Sequence, residues 1–384
     1  MGGALEGIRI IDLTTMVSGP LATMMLGDQG AEVIKVEAPG IGDAMRYIGS
    51  SRGGMSALFA NCNRNKRSVV LDLTEDDGKE ALRKLIAGAD VFVQNFRPGA
   101  IDRLGFGYED VKAIKPDIVY VSVTGFGETG PYAMRPVYDN VIQGISGIAA
   151  AQADVDTGEP DLIRNLVCDK VTALTNSQAI TAALFARERG AGGQHVKLSM
   201  LDSALHFFFS DGLMNQSLLG DGVAFMPPIS GSYIAIETKS GYMSITTVTD
   251  DQWHGFCRAV ERPDMIEEKK YLTIFDRSMH LDELMNWVKE MLLTRTAKEW
   301  SERFVEETVP HSVVNTLEGV FEDPQVIANG SAVTIDHEHM GKMRVPKPPV
   351  DFGGTPSTIR LGAPKLGEHT EEILEELPDS VIGR

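Results

Sequence analysis

Cysteine is close to absent from this chain: Cys62, Cys168 and Cys257 are all it has in 384 residues, and no two form a CxxC pair. An odd, scattered set of thiols excludes a disulfide framework and a structural zinc site of ordinary spacing, and it suits a reducing compartment. Histidine is missing from the first half, since His195, His206, His254, His280, His311, His337, His339 and His369 all lie beyond it. A crevice built by the first half therefore lacks a histidine of its own, and an imidazole base would have to come from elsewhere. No two histidines have the spacing of a helical metal site, and His337 and His339 in "DHEHMGK" read as part of a polar turn. No metal is expected.

Long apolar runs are lacking as well; none reaches the roughly 18 residues of a membrane span. Basic charge is the minority sign, 36 Lys and Arg against 54 Asp and Glu, for a formal net charge of −18. Such a surface repels nucleic acid and anionic lipid, and an anionic ligand needs a local basic pocket. The start "MGGALEGIRI" has neither a signal peptide's apolar core nor a myristoylation signal, and "SVIGR" is no targeting tripeptide. The expectation is a cytoplasmic protein with no nucleic-acid and no membrane partner.

What is present is a chain 43% apolar, long enough for two or three domains. β-Branched runs alternate with helical stretches: "GIRIIDLT", "AEVIKVE", "RSVVLDLT", "DVFVQNF", "DIVYVSVTGFG" and "QHVKLSM" read as strands. Strand and helix in turn imply βαβ units and a mainly parallel sheet, whose ligands bind beyond the carboxyl ends of the strands. The loops that matter are then "LTTMVSG", "VEAPGIGD", "LDLTED", "QNFRPGA" and "TGFGETGPYAMRPVYDN". A long helix is expected from Lys170 to about Arg187, stopping at Gly190. Near residue 220 the texture changes to a hairpin turned at "KSG" and charged amphipathic helices. The expected organisation is a large α/β domain over 1–200, a linker over 201–225, a smaller α+β domain over 226–325, and a return segment, 326–384, completing the large domain.

Candidate sites each have a plain alternative. The opening βαβ unit ends its second strand on Glu37, where a ribose hydroxyl is often held, but the turn "LTTMVSGP" has no GxGxxG, so a structural unit is expected. Arg64, Lys66, Arg67, Arg97 and Arg103 stand near strand ends in an acidic protein and read as anion grips, with solvated surface charge as the alternative. In "NLVCDKVTAL" Cys168 and Asp169 are neighbours. A carboxylate beside a thiol raises its pKa, so Cys168 reads as a small buried residue. On spacing alone, Asp169 reads as a helix N-cap ahead of a catalytic group.

The segments "GPLATMMLGDQGAEVIKVEAPGIGD", "NRNKRSVVLDLTEDDGKEAL", "ADVFVQNFRPGAIDRLGFGYEDV", "YVSVTGFGETGPY", "NTLEGVFEDPQ" and "APKLGEHTEEIL" together resemble the class III coenzyme A transferases, the formyl-CoA transferase and CaiB/BaiF-like group. The resemblance implies a Rossmann-like large domain, a smaller α+β domain and an interlocked homodimer. It implies an aspartate nucleophile, matched here by Asp169, and no tightly bound cofactor: coenzyme A or acyl-CoA is a substrate, with a carboxylic acid as the second. It places coenzyme contacts at Val17, Ser18, Leu71, Asp72, Leu73, Thr74, Asn95, Phe96, Arg97, Arg103, Tyr138 and Asp139. The related α-methylacyl-CoA racemases use a histidine where this chain has Tyr138, so transfer is expected over racemisation, with a non-catalytic acyl-CoA-binding protein on the same fold as the other alternative. Two departures stand out: no glycine run occurs near residues 215–240, and Ala38 replaces an arginine after Glu37. Met226, Tyr233 and "FMPPISGSY" hint at an apolar acyl group.

Overall fold

A computed structural model describes residues 2–154, 157–224, 231 and 233–378. It divides into two compact units, Met1–Phe207 with Asn329–Arg384, and Phe208–Ala328.

The first unit is built on six strands: β1 (Arg9–Asp12), β2 (Glu32–Glu37), β3 (Lys66–Val70), β4 (Val91–Gln94), β5 (Val119–Thr124) and β6 (Gln194–Ser199). All pair in parallel, in the order β3-β2-β1-β4-β5-β6. The order reverses between β1 and β4, which opens a crevice beyond their carboxyl ends. The helices are α1 (Ser18–Asp28), α2 (Ala57–Asn63), α3 (Asp76–Ala87), α4 (Ala100–Arg103), α5 (Tyr108–Ile114), α6 (Asp139–Ile145), α7 (Ile148–Ala151), α8 (Val167–Ala186) and α9 (Met200–Phe209).

Both sheet faces are covered, so the strands are apolar on both sides. Ile11, Ile34, Val69, Phe92 and Tyr120 point to the layer of α3, α4 and α5, where Leu82, Leu85, Ile86, Ile101 and Val111 meet them. Ile10, Val33, Val91, Val93, Val119 and Val121 point the other way, onto Leu26 of α1 and Ile180, Ala183 and Leu184 of α8. α1 and α8 pack along each other on that face. Their first turns meet at its rim. Helix α8 runs into a wider turn over Arg187–Ala191 and ends where Gly190 takes φ +92°, a conformation a side chain resists.

The return segment contributes a hairpin, β10 (Ala332–His337) with β11 (Gly341–Pro346), and a final helix, Thr370–Glu375. It is tied down through Asn65, whose side-chain oxygen accepts from the Arg360 and Leu361 N–H groups.

In the second unit β7 (Ile236–Glu237), β8 (Tyr242–Ile245) and β9 (His311–Val313) form a small antiparallel sheet. The turn between β7 and β8 falls at "KSG", as the sequence suggested. Helices α10 (Met214–Ser217), α11 (Asp250–Ala259), α12 (Ile274–Met279), α13 (Leu281–Leu292) and α14 (Ala297–Glu306) complete it. Trp253, Phe256, Trp300 and Phe304 centre its core.

Candidate active site

The crevice is held in shape by a nest of buried charges. Asp12, at the end of β1, is fully buried with Lys66 Nζ at 2.9 Å, and its carboxylate also accepts from the Thr14 and Thr23 hydroxyls. Burial alone would raise its pKa; Lys66, Lys35 and the two hydroxyls outweigh that and hold it far below the usual carboxylate range. Lys35 is paired with Asp43 at 3.1 Å and also donates to the Thr14 carbonyl. Glu37 is clasped by Arg46 through two hydrogen bonds, so it faces protein and not a ribose.

These pairings correct the expectation that Arg64, Lys66 and Arg67 grip an anion. Arg64 is bidentate on Asp28, Lys66 is on Asp12, and Arg67 is divided among Glu32, Glu372 and Glu376. Their partners lie far away in sequence, which is why the run read as a set of free anion grips. Arg97 and Arg103 differ. Both are exposed, and among the described residues neither pairs with a carboxylate. Arg97 lines a cavity of about 310 Å³ with Phe96, Ser122, His195 and Lys197.

The loop after β1 carries Val17 and Ser18, both 4% exposed, into the start of α1. Met16 takes φ +67°, a strained conformation for a residue with a side chain, and its N–H donates to Asp43. Gly19 lets the helix start pass Thr14, since a Cβ there would lie 2.3 Å from the threonine side chain. No side chain caps α1. Across the switch point, the Asn95 side chain accepts from Thr15 N–H at 3.0 Å and donates to the Thr15 carbonyl at 2.8 Å. That two-way clasp fixes the β1 and β4 loops to each other. Phe96 and Leu73 lean on the core, Leu71 is buried, and Asp72 accepts from the Thr74 N–H and hydroxyl to shape the β3 loop.

Asp169 stands at the junction of α1, α6 and α8. Helix α8 starts earlier than the sequence suggested, with Leu166 as its uncapped N-cap. Asp169 is thus in the first turn and not the cap, which corrects the N-cap reading. The missing cap is supplied from outside the helix: Asp139, at the start of α6, accepts the Asp169 N–H at 2.9 Å. Asp139 is 4% exposed, and Gln143, one turn on, donates to it at 2.6 Å. Gln143 is in turn bound to Ile163 and Asn165, bracing the loop that leads into α8. Sequence reading missed Gln143, though its i, i+4 spacing from Asp139 was available. Tyr138 is 65% exposed beside this buried pair.

Burial, and then the neighbouring Asp139 charge, push the Asp169 carboxyl up to about 6, while a hydrogen bond from the Ser18 N–H works the other way. The carboxylate therefore lies against the uncapped start of α1, where helix N–H groups favour negative charge. No cation is among the groups that set its charge. The adjacent Cys168 is 1% exposed, and burial, Asp139 and Asp169 push its thiol up to about 12. It is buried, as expected, and its burial and acidic neighbours favour the protonated thiol.

The histidine expectation needs a correction. β6, α9 and the return segment bring His195, His206, His337, His339 and His369 into the same unit as the crevice. His195 is occupied by Ser122 Oγ at 2.9 Å and a stack on Tyr108, and His339 by Glu368 at 2.6 Å. Met226 lies outside the described residues; Tyr233 is exposed in the second unit.

The first unit thus presents an α/β crevice with a semi-buried carboxylate, Asp169, at a helix start. Comparison with known proteins gives the family: residues 5–370 match the model of CoA-transferase family III, and the chain belongs to that family of enzymes. Human "Succinyl-CoA:glutarate CoA-transferase" is 34% identical over 99% of this chain and 88% of its own length. "Formyl-CoA:oxalate CoA-transferase" of Escherichia coli O157:H7 is 31% identical over 98% of this chain and 96% of its own. A CAIB/BAIF family protein from Brucella suis superposes with a TM-score of 0.83 at 31% identity, covering 98% of this chain and all of its own. No helix among the described residues is long and apolar enough to cross a membrane.

Proposed function

We propose that the protein moves coenzyme A from an acyl-CoA thioester to a free carboxylic acid, with Asp169 as the nucleophile. An Asp169 oxygen attacks the thioester carbonyl carbon; the C–S bond breaks, and the coenzyme leaves as a thiolate, giving a mixed anhydride. The thiolate attacks Asp169 Cγ, which expels the first acid as a carboxylate and leaves an aspartyl thioester. The acceptor carboxylate attacks Cγ and releases the thiolate, which takes the new acyl group from the second anhydride and restores the aspartate.

The observation that carries this reading is the environment of Asp169. A pKa near 6 leaves it charged by roughly ten to one at pH 7 with no base to activate it, yet more basic than a solvated carboxylate. Partial burial keeps water from the anhydrides. The start of α1, with the Ser18 N–H, supplies donors for negative charge developing at the carboxyl. Asp139 and Gln143 hold the first turn of α8 in place.

The coenzyme lies across Val17, Ser18, Leu71–Thr74, Asn95–Arg97, Arg103 and the exposed Tyr138, with Arg97 and Arg103 as its phosphate grips. Asp139 acts from beneath. Holding the nucleotide keeps the thiolate within reach while the acids exchange. The working form is an interlocked homodimer. The named relatives supply the first pairs to try: succinyl-CoA with glutarate, and formyl-CoA with oxalate.

The test is trapping. Incubation with acyl-CoA followed by hydroxylamine or borohydride should mark the peptide containing Asp169, read by mass spectrometry. Turnover by Asp169→Ala at a rate near that of the native protein would defeat the proposal.

A further inference from the structure

A chain of hydrogen bonds crosses three neighbouring strands, β6, β5 and β4, and ends on the loop that follows β4. The Phe96 N–H donates to Gln94 Oε1 at 2.8 Å, Gln94 Nε2 donates to Ser122 Oγ at 3.0 Å, and Ser122 Oγ lies 2.9 Å from His195 Nε2. Gln94 and Ser122 are each 4% exposed, so a partner lost from either is not readily replaced by water. The same side chains help to wall the cavity that holds Arg97.

The direction of the chain is fixed at its loop end. A backbone N–H can only donate, so the Gln94 oxygen faces Phe96 and its nitrogen faces Ser122. The hydroxyl therefore accepts from Gln94 and has one proton to give. Among the described residues, His195 Nε2 is the acceptor that takes it. His195 must then be neutral, with its own proton on Nδ1. Burial and then Lys197 favour that state by pushing its pKa below the usual histidine value, against the pull of Glu128, Asp102 and Glu109. Tyr108 stacks on the ring at 4.6 Å and Tyr120 meets it edge-on at 5.0 Å, which holds it in place.

We infer that His195 is a positioning residue for the coenzyme grip: as terminal acceptor it orients Ser122 and Gln94, and through them the Phe96 backbone in the turn that carries Asn95 and Arg97. Without that acceptor the Ser122 proton has no partner, the hydroxyl turns, and the Gln94 amide is released from Phe96. The inference rests on the coenzyme placement proposed above for Asn95–Arg97.

The experiment is calorimetric titration of the full-length protein with coenzyme A, which the native protein should bind saturably. His195→Phe keeps an aromatic ring against Tyr108 but offers no acceptor, and should weaken binding by about tenfold. His195→Gln gives up the ring but can present an oxygen to Ser122, and should stay within about threefold of native. A packing role alone would give the opposite order. Ser122→Ala should lose as much as His195→Phe, and the double variant, which has room for the larger ring, should lose no more than either. Circular dichroism confirms which variants are folded; if His195→Phe is not, Ser122→Ala against His195→Gln makes the same comparison. Native affinity in folded Ser122→Ala, weaker binding by His195→Gln than by His195→Phe, or additive losses in the double variant would overturn the inference and leave the coenzyme placement standing. Failure of the native protein to bind coenzyme A would overturn that placement, and the inference with it.

Discussion

Two aspartates of the first unit, Asp12 and Asp169, share a side chain and little else. Asp12 is enclosed by Lys66, Lys35 and two threonine hydroxyls and is driven toward permanent ionisation. Asp169 is partly enclosed, faces another carboxylate, and is driven toward its acid form. Burial acts on both in the same direction; the partners decide the outcome. An aspartate saturated with cations and donors holds loops together and has no lone pair to give. One denied a cation keeps its basicity and can attack. The difference lies in what surrounds the carboxylates, and substitutions can break it or make it sharper.

The largest effect is expected at Asp169, the proposed nucleophile. Asp169→Asn should reduce CoA transfer by at least about a thousandfold, measured by label exchange between thioesters. The fold should survive, and more than survive. With a folded pKa above its unfolded value, the Asp169 carboxyl stabilises the protein in acid and loses that contribution as pH rises through about 6. Asp169→Asn should therefore be more stable than the native protein at pH 7.5, by on the order of 2 kcal/mol in urea titrations. The gain should vanish near pH 4.

Asp12→Ala tests the other member. It leaves Lys66 buried without its carboxylate and should lower stability by about 3–5 kcal/mol. A loss below about 1 kcal/mol would mean that the charge nest does not brace the crevice.

Asp139→Asn removes the like charge while retaining an oxygen for the Asp169 N–H. The acid limb of the rate profile should move from about pH 6 to lower pH, by about one unit. An unmoved limb would assign the raised pKa to burial alone. Smallest of all, Cys168→Ala should keep most of the activity, because a thiol pushed up to about 12 supplies almost no thiolate.

The sheet was legible because its strands are unbroken β-branched runs, such as "AEVIKVE" and "DIVYVSVTGFG", separated by glycine- and charge-rich segments. Their parallel pairing followed from the helices between them. The charge nest was not legible. Lys66 finds Asp12 across 54 residues, and "NRNKRS" carries no local sign that its cations are buried. Asp169 was singled out by its likeness to a family, since local spacing made it a cap. What sequence could not give was the partner 30 residues away that takes over the capping and lifts the carboxyl. Long-range pairing between polar side chains leaves no period to read.

The unit bearing Asp169 is assembled from both ends of the chain, and that sets an order of events during synthesis. When residues 1–207 have left the ribosome, Arg46 still lacks the Pro364 carbonyl, Arg64 the Pro346 carbonyl and Asn65 the 358–361 backbone. These groups must wait, hydrated and unpaired, until residues 346–364 emerge. Translation that stops early leaves a half-built catalytic unit with exposed sheet, the kind of species chaperones capture and proteases clear.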